Sequence, residues 1–374
     1  MAGELGDVLV FNAGSSSLKY ALFTGSSEQE AAAGTIDTQT PASAVPEALA
    51  KIATGRLAAV GHRFVHGGQE FREGARVSSD VRRALERLSE LAPLHNPPAL
   101  AVLEAAQLAL PGVPHVAVFD TAFFADLPER ARVYALPWHW YAKWGVRRFG
   151  FHGLSHAWCA ERAAGLLGRT PGEGLLVTCH LGNGCSAAAI RGGRPIATTM
   201  GFTPLEGLMM GSRAGSVDPG ILLYALRNRA IGIEKLDVVL NHESGLLGVS
   251  GVSSDFREVM AAAAGGNARA QLALEIYADR VRSAVGALAA TLGGVDALVF
   301  TGGVGEHSAD LRAAVCDGLG FLGLRLDAEL NARTTPDADL AVRDSPGRIL
   351  ILHTREELMI ARETRRVLGD EIKK

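Results

Sequence analysis

The chain has 374 residues, 48% apolar and 21% charged, enough to bury one large core or two smaller ones. That composition excludes disorder and collagen-like repeats. With 37 Lys and Arg against 40 Asp and Glu the formal charge is −3, so no bulk positive field exists to draw nucleic acid or an anionic membrane surface.

Residues 8–23, VLVFNAGSSSLKYALF, read as two strands flanking a polar loop. ALAVLEAAQLAL (99–110) has helical spacing, and after PGVP the run HVAVF predicts a strand that ends at Asp120. In open α/β sheets ligands gather at that end of the strands. LLVTCHLGNGCSAAAI (175–190) repeats the opening unit: with Gly14 placed on Gly182, strand, small-residue loop and returning strand superpose, which predicts two homologous halves. Leu274, Val281, Val285, Leu288 and Leu292 fall on one helical face, Gly293 and Gly294 stop that helix, and ALVF (297–300) predicts a buried strand running into TGGVGE. REELMIARETRRVL (355–368) predicts a closing helix. The class is α/β in two lobes.

The longest uncharged run, Gly174 to Ile190, is broken by Gly182, Asn183 and Gly184 and is too short to cross a bilayer. The chain opens with neither a basic leader nor a cleavable apolar segment, so a cytoplasmic location is expected. Cys159, Cys179, Cys185 and Cys316 form no CxxC pair and are expected to be reduced thiols.

The loop from Asn12 to Lys19 offers backbone N–H groups, three hydroxyls and an ammonium, the groups that cradle phosphate oxygens. It is not a Walker A loop, because GxxxxGK[ST] is absent and a strand follows. HLGNG (180–184) and TGGVGE (301–306) are each weak signals alone, but three such loops leaving strands point to nucleotide. Arg63 in GHRFVHGG and Arg213 in GLMMGSRAGSVDPG sit in otherwise apolar sequence, where arginine wants an anionic partner; the plain alternatives are a buried ion pair for Arg63 and a solvated loop residue for Arg213. His152 and His156 are spaced like a metal pair but lack a third ligand, and Asp218 before Pro219 reads as a helix cap.

VFNAGSSSLKY, GHRFVHGG, APLHNPP, FDTAFF, RRFGFHGLSH, HLGNGCS, TTMGFTPLEGLMMGSRAG, SSDFRE, FTGGVGE and REELMIA, in that order, resemble the acetate kinase family from residue 8 to about 364. The resemblance implies the two-lobed, duplicated ribonuclease H-like fold shared with sugar kinases, actin and Hsp70. The first lobe would be 1–122 with 357–374; the second, 123–356, would hold the nucleotide site and a homodimer interface. The implied activity is reversible, Mg²⁺- or Mn²⁺-dependent phosphorylation of acetate by ATP, giving acetyl phosphate and ADP. Carried over residue by residue, Asn12 and Glu356 help hold the metal. Ser15, Ser17, Lys19 and His180, Leu181, Gly182, Asn183, Gly184 meet the ATP phosphates. Asp255, Phe256, Arg257 with Gly303, Val304, Gly305, Glu306, His307 surround the nucleoside. Arg63 and His95 bind the acyl substrate, Arg63 at its carboxylate, and Val65, Leu94, Phe151 and Pro204 form the slot for its methyl. Asp120, His152 and Arg213 are catalytic: His152 and Arg213 stabilise the phosphoryl group in flight, and Asp120 orients Arg63 or metal-bound waters.

The chemistry suits these assignments. A short-chain acid has a pKa near about 4.3 and is ionised at neutral pH, so it needs no strong base; the reaction needs positive charge to bring two anions together. The chain departs from the family's pattern at Leu154, Ala197, Ser216, His307 and Arg355, of which the last two adjoin nucleotide and metal positions. A propionate or butyrate kinase is the near alternative. An ATPase switch like actin or Hsp70 is the remote one, since it would have no use for Arg63, Arg213 and His152.

Overall fold

The computed structural model describes residues 6–14, 17–52, 55–170, 172–229 and 231–372. The chain divides into two compact units, one of residues 1–125, 151–155 and 355–374, the other of 126–150 and 156–354. Residues 123–125, 151–155, Arg355 and Glu356 thus go with the first unit, where the division read from the sequence had them in the second.

The first unit is built on six strands: β1 (Asp7–Ala13), β2 (Ser17–Phe23), β3 (Glu30–Asp37), β4 (Leu57–Phe64), β5 (Ala75–Arg76) and β6 (His115–Phe119), in the order β3-β2-β1-β4-β6-β5. β1, β2 and β3 are antiparallel neighbours, while β4 lies parallel to both β1 and β6. β1 and β6 are buried along nearly their whole length because both faces of the sheet are covered. On one face the helix Asn96–Ala109 buries Ala99, Val102, Leu103 and Ala106, one helical stripe; Val102 and Ala106 join Leu9, Phe11 and Val60 in a core cluster. On the other face lies the helix Glu356–Ile372. Its approach to β4 is close enough that a Cβ on Gly61 would stand 2.4 Å from Thr364 Oγ1 and 2.8 Å from Ile360 Cγ2.

The second unit repeats this plan. Its strands are β7 (Leu175–Leu181), β8 (Cys185–Arg191), β9 (Arg194–Thr198), β10 (Ala297–Thr301), β11 (Ala338–Asp339) and β12 (Arg348–Ile351), in the order β9-β8-β7-β10-β12-β11. β7 begins 168 residues after β1 (Asp7 to Leu175), and β8 begins 168 after β2 (Ser17 to Cys185). The Gly14-on-Gly182 register is therefore the structural one. The counterpart of β10 is β4, however, and that of β6 is β12, a strand the sequence reading passed over. The helix Ala268–Leu292 is capped by Asn267, whose side chain accepts from the N–H groups of Arg269 and Ala270, and ends at Gly293 with φ +80°. Val281, Val285, Leu288 and Leu292 are buried as expected, but Leu274 is only half-buried. Among the described residues no helix is long and apolar enough to cross a membrane.

Candidate active site

Arg63 and Asp120 stand at the carboxyl ends of the neighbouring strands β4 and β6 of the first unit. Arg63 donates from Nε to Asp120 Oδ1 at 3.1 Å and from Nη2 to Oδ2 at 2.6 Å, a bidentate pair around a fully buried carboxylate. Its third nitrogen, Nη1, donates to Asn12 Oδ1 at 3.0 Å. Burial works against the Arg63 charge, yet Asp120, Glu356 and Glu357 together raise its pKa further. For Asp120 burial pushes upward and Arg63 pulls down; Glu356 adds a second upward push, and the backbone N–H of His152 a further pull down.

Asn12, near the end of β1, turns its amide nitrogen toward two carboxylates, Glu356 Oε2 at 3.4 Å and Glu357 Oε1 at 2.9 Å. Glu357 was missed by the sequence reading, although it is the nearer of the two. Three carboxylates thus surround one guanidinium, an excess of negative charge that suits a cation. The donors are hard oxygens, as Mg²⁺ requires, and Mg²⁺ commonly takes one or two protein carboxylates and completes its shell with water and phosphate. Among the described residues no group of three or more His, Cys, Asp or Glu forms an all-protein cage.

His152 is the one described non-glycine residue at positive φ, +54°. Gly153 makes that turn possible, since a Cβ there would lie 2.0 Å from the carbonyl oxygen of Asp120. His156 is no metal ligand: its ring is buried with Nδ1 2.7 Å from Thr178 Oγ1 and Nε2 2.8 Å from Ser186 Oγ.

Val65 and Phe151 are buried in the first unit, Phe151 edge-on to His66. The backbone there is pinned by buried Asn96, whose Oδ1 accepts from His66 N and whose Nδ2 donates to His66 O, and by Thr121 Oγ1, which accepts from Gly67 N. Neither Asn96 nor Thr121 was singled out from the sequence. His95 is half-buried at the start of the helix Asn96–Ala109, and Leu94 is 40% exposed. Lys19 is exposed on β2 opposite Asn12, and Ser17 accepts from Gly14 N through its carbonyl at 2.8 Å. Ser15 lies outside the described residues.

In the second unit a cavity of about 960 Å³ is lined by Gly182, Asn183, Asp255, Phe256, Arg257, Gly303, Val304 and His307. These come from three separate sequence motifs, and Met260, Ser308 and Asp310 line it as well. Asp255 caps the helix Phe256–Ala264 through Oδ1 to Arg257 N, and the Arg257 side chain holds the Asp255 carboxyl below its ordinary range. His307 closes the six-residue helix Gly302–His307 and donates from Nδ1 to Gly303 O at 2.9 Å. Leu181 is buried in β7, Gly305 packs against it, and Gly184 pairs its carbonyl with Gly182 N; His180 is half-buried at the end of the strand.

Glu306 is buried and does not line that cavity. Its carboxylate accepts from Gly302 N and Thr354 N, each at 3.0 Å, and meets His353 Nδ1 at 2.7 Å. Burial opposes its ionisation, but His353 and these N–H groups hold it below the usual carboxylate range. It therefore ties the 302–307 turn to the segment after β12.

Arg213 is half-buried, and burial lowers its pKa against the pull of Cys185. Its loop is fixed by backbone bonds from Met210 N to Arg213 O and from Ser244 N to Ser212 O, and by Gly245 at φ +61°, where a Cβ would stand 2.2 Å from Met210 O. Pro204 is half-buried in the segment before it.

Two sheets of one topology, the second bearing a nucleotide-sized cavity, define the duplicated ribonuclease H-like fold. The family model of the acetokinase family matches residues 42–362, and the chain belongs to that family. It is 56% identical over 309 residues to the acetate kinase of Nostoc punctiforme, an alignment covering 83% of this chain and 76% of that one. The crystal structure of Porphyromonas gingivalis acetate kinase matches with a TM-score of 0.87 at 38% identity, covering 97% of this chain and 99% of that one. A propionate kinase from Francisella tularensis matches with a TM-score of 0.85 at 35% identity, covering 97% and 100%.

Proposed function

We propose that this chain catalyses reversible phosphoryl transfer from ATP to acetate, giving acetyl phosphate and ADP. The observation that carries the acyl side is Arg63, whose guanidinium is fixed by Asp120 and Asn12 at the carboxyl end of the first sheet. A carboxylate substrate arrives ionised, so the protein's task is to gather and orient charge rather than to remove a proton. Arg63 receives the acid, and Asp120 acts by holding the plane of that guanidinium. His152 and Arg213 donate to the phosphoryl oxygens as charge develops on them. The nucleoside occupies the cavity of the second unit, against Phe256, Gly303 and Val304.

Asn12 and Glu356, with Glu357 beside them, would hold the Mg²⁺ of the nucleotide. When bound, that ion neutralises phosphate charge and helps to align the phosphate chain. Mn²⁺ fits the same donors. A homodimer formed through the second unit belongs to this reading; the exposed Ile221, Tyr224 and Ile233 on the helices Pro219–Asn228 and Ile233–His242 support it. So does a cytoplasmic location, where the four buried cysteines stay as thiols.

The test is hydroxylamine trapping of the acyl phosphate with ATP, Mg²⁺ and a series of acids from formate to butyrate. Acetate should give the highest kcat/KM, with propionate lower. ATP consumption that ignores the acid would remove the proposal.

A further inference from the structure

Three arginines, one at the start of the helix Glu356–Ile372 and two in its middle, converge on the turn between β2 and β3, within the first unit. Arg355 donates from Nη2 to the carbonyl of Glu28 at 2.7 Å, Arg362 from Nε to the Glu28 carboxylate at 2.9 Å, and Arg365 from Nη1 to the carbonyl of Ser27 at 3.3 Å. Arg355 differs from the other two in its place on the chain. Its carbonyl accepts from Met359 N at 3.2 Å, so it stands at the point where the helix begins. Side chains favoured there accept from the first-turn N–H groups; a guanidinium has no acceptor and cannot. Arg355 instead reaches outward to the turn.

The two residues that follow it are Glu356 and Glu357, whose carboxylates meet Asn12 at 3.4 and 2.9 Å. Arg362 and Arg365 and the packing on β4 hold the body of the helix; a side chain that ties its first residue to the neighbouring turn restrains the first turn itself, whose rotation and height decide where the carboxylates point. We propose that Arg355 is a positioning residue: by tying the helix start to the Glu28 carbonyl, it aims Glu356 and Glu357 at Asn12 and at the divalent cation of the bound nucleotide. This rests on the reading of Asn12 and Glu356 as the metal site. The anchor is a backbone carbonyl, so the clamp does not depend on which side chain stands at 28.

The test measures Mg²⁺-dependent binding of ADP by titration calorimetry, with acetate KM and thermal midpoint alongside. Arg355→Asn should raise the Mg²⁺ concentration for half-saturation by about tenfold, at the lower edge of what loss of a ligand-orienting partner does to a metal site. Acetate KM should stay unchanged. The thermal midpoint should not fall, because Asn is itself a good helix cap. Arg355→Lys keeps a donor for the Glu28 carbonyl and should restore most of the wild-type Mg²⁺ dependence. Glu28→Gln breaks the ion pair with Arg362 but leaves that carbonyl, and should change nothing.

An unaltered Mg²⁺ titration in Arg355→Asn overturns the proposal. So does an equal shift in Glu28→Gln, or a lysine variant no better than the asparagine one. ADP binding is read without turnover, so a chain that binds Mg²⁺ and ADP but makes no acetyl phosphate would sink the acetate reading and leave the clamp standing. A wild type whose ADP binding ignores Mg²⁺ would overturn the clamp together with the metal-site reading on which it rests, and leave the acetate reading to the hydroxylamine test.

Discussion

Arg63 holds both oxygens of Asp120, Nε to Oδ1 at 3.1 Å and Nη2 to Oδ2 at 2.6 Å, so the plane of the guanidinium is set before any substrate arrives. Lysine keeps the charge but not the fork. Arg63→Lys should therefore raise the acetate KM by at least about tenfold, or about 1.4 kcal/mol, with ATP KM unchanged. Asp120→Ala should also destabilise the fold, by up to about 3 to 5 kcal/mol, because it strips a largely buried guanidinium of its bidentate partner and leaves only the charges of Glu356 and Glu357 beside it. Steady-state kinetics and urea unfolding check the two halves. An Arg63→Lys enzyme with ordinary acetate KM would show that the fork is not what receives the acid.

His152→Ala and Arg213→Ala should lower kcat far more than they raise acetate KM, since both are assigned to charge that develops only in the transition state. Loss of one such donor is typically worth about 2.7 to 4 kcal/mol, a drop of about 10²–10³ in kcat. His152 has a further sensitivity through its backbone. Gly153→Ala should reproduce much of the His152→Ala defect, because a Cβ at 153 collides with the Asp120 carbonyl and must displace the +54° turn. Near-wild-type kcat at saturation in any of these variants would remove the assignment it tests.

Much of this was legible because it is local. The strand, loop and returning strand at 7–23 and 175–191 show their alternation and small-residue turns directly, and their register across the duplication can be set from Gly14 and Gly182 alone. β3 was missed because Glu30–Asp37 is an edge strand with no buried run, and β12 because four residues carry too little pattern. Without β12 the correspondence between the two sheets is hidden, in which β10 answers to β4 and β12 to β6. Glu357, Asn96 and Thr121 were invisible for another reason: each acts through a contact with chain far away in sequence, 345 residues in the case of Asn12 and Glu357. Glu306 shows the reverse. The motif placed it with the nucleotide residues, while the fold turns its carboxylate inward to His353 and Thr354.

Acid should destabilise the fold through its buried histidines. Burial lowers His156 to about 3 and His115 to about 4, and His62, 2.9 Å from His115, well below its ordinary value. The unfolded chain takes up protons near the ordinary value of about 6.5, and the native chain does not. Stability is thus complete above about pH 6.5 and falls as the pH drops toward 4, by at most about 1.4 kcal/mol per pH unit for each histidine. Urea midpoints at pH 7.5, 6 and 5 should show this decline. His115→Gln should flatten it, and an identical pH slope in that variant would contradict the account.

Val65 is buried in the first unit where the acyl slot is proposed, and its backbone neighbours are pinned by Asn96 and Thr121. Val65→Ala removes volume and no charge. It should shift kcat/KM toward propionate by about 10- to 200-fold, the range that one methylene allows, with little change in ATP KM. A wild type that already prefers propionate, or a variant of unaltered selectivity, would place the slot elsewhere.

The most direct test of the acetate reading is to follow the wild-type protein by ³¹P NMR with ATP, Mg²⁺ and acetate. An acyl phosphate resonance should grow with ADP in equal amounts and be absent without acetate. Release of inorganic phosphate at a rate that does not depend on acetate would contradict that reading.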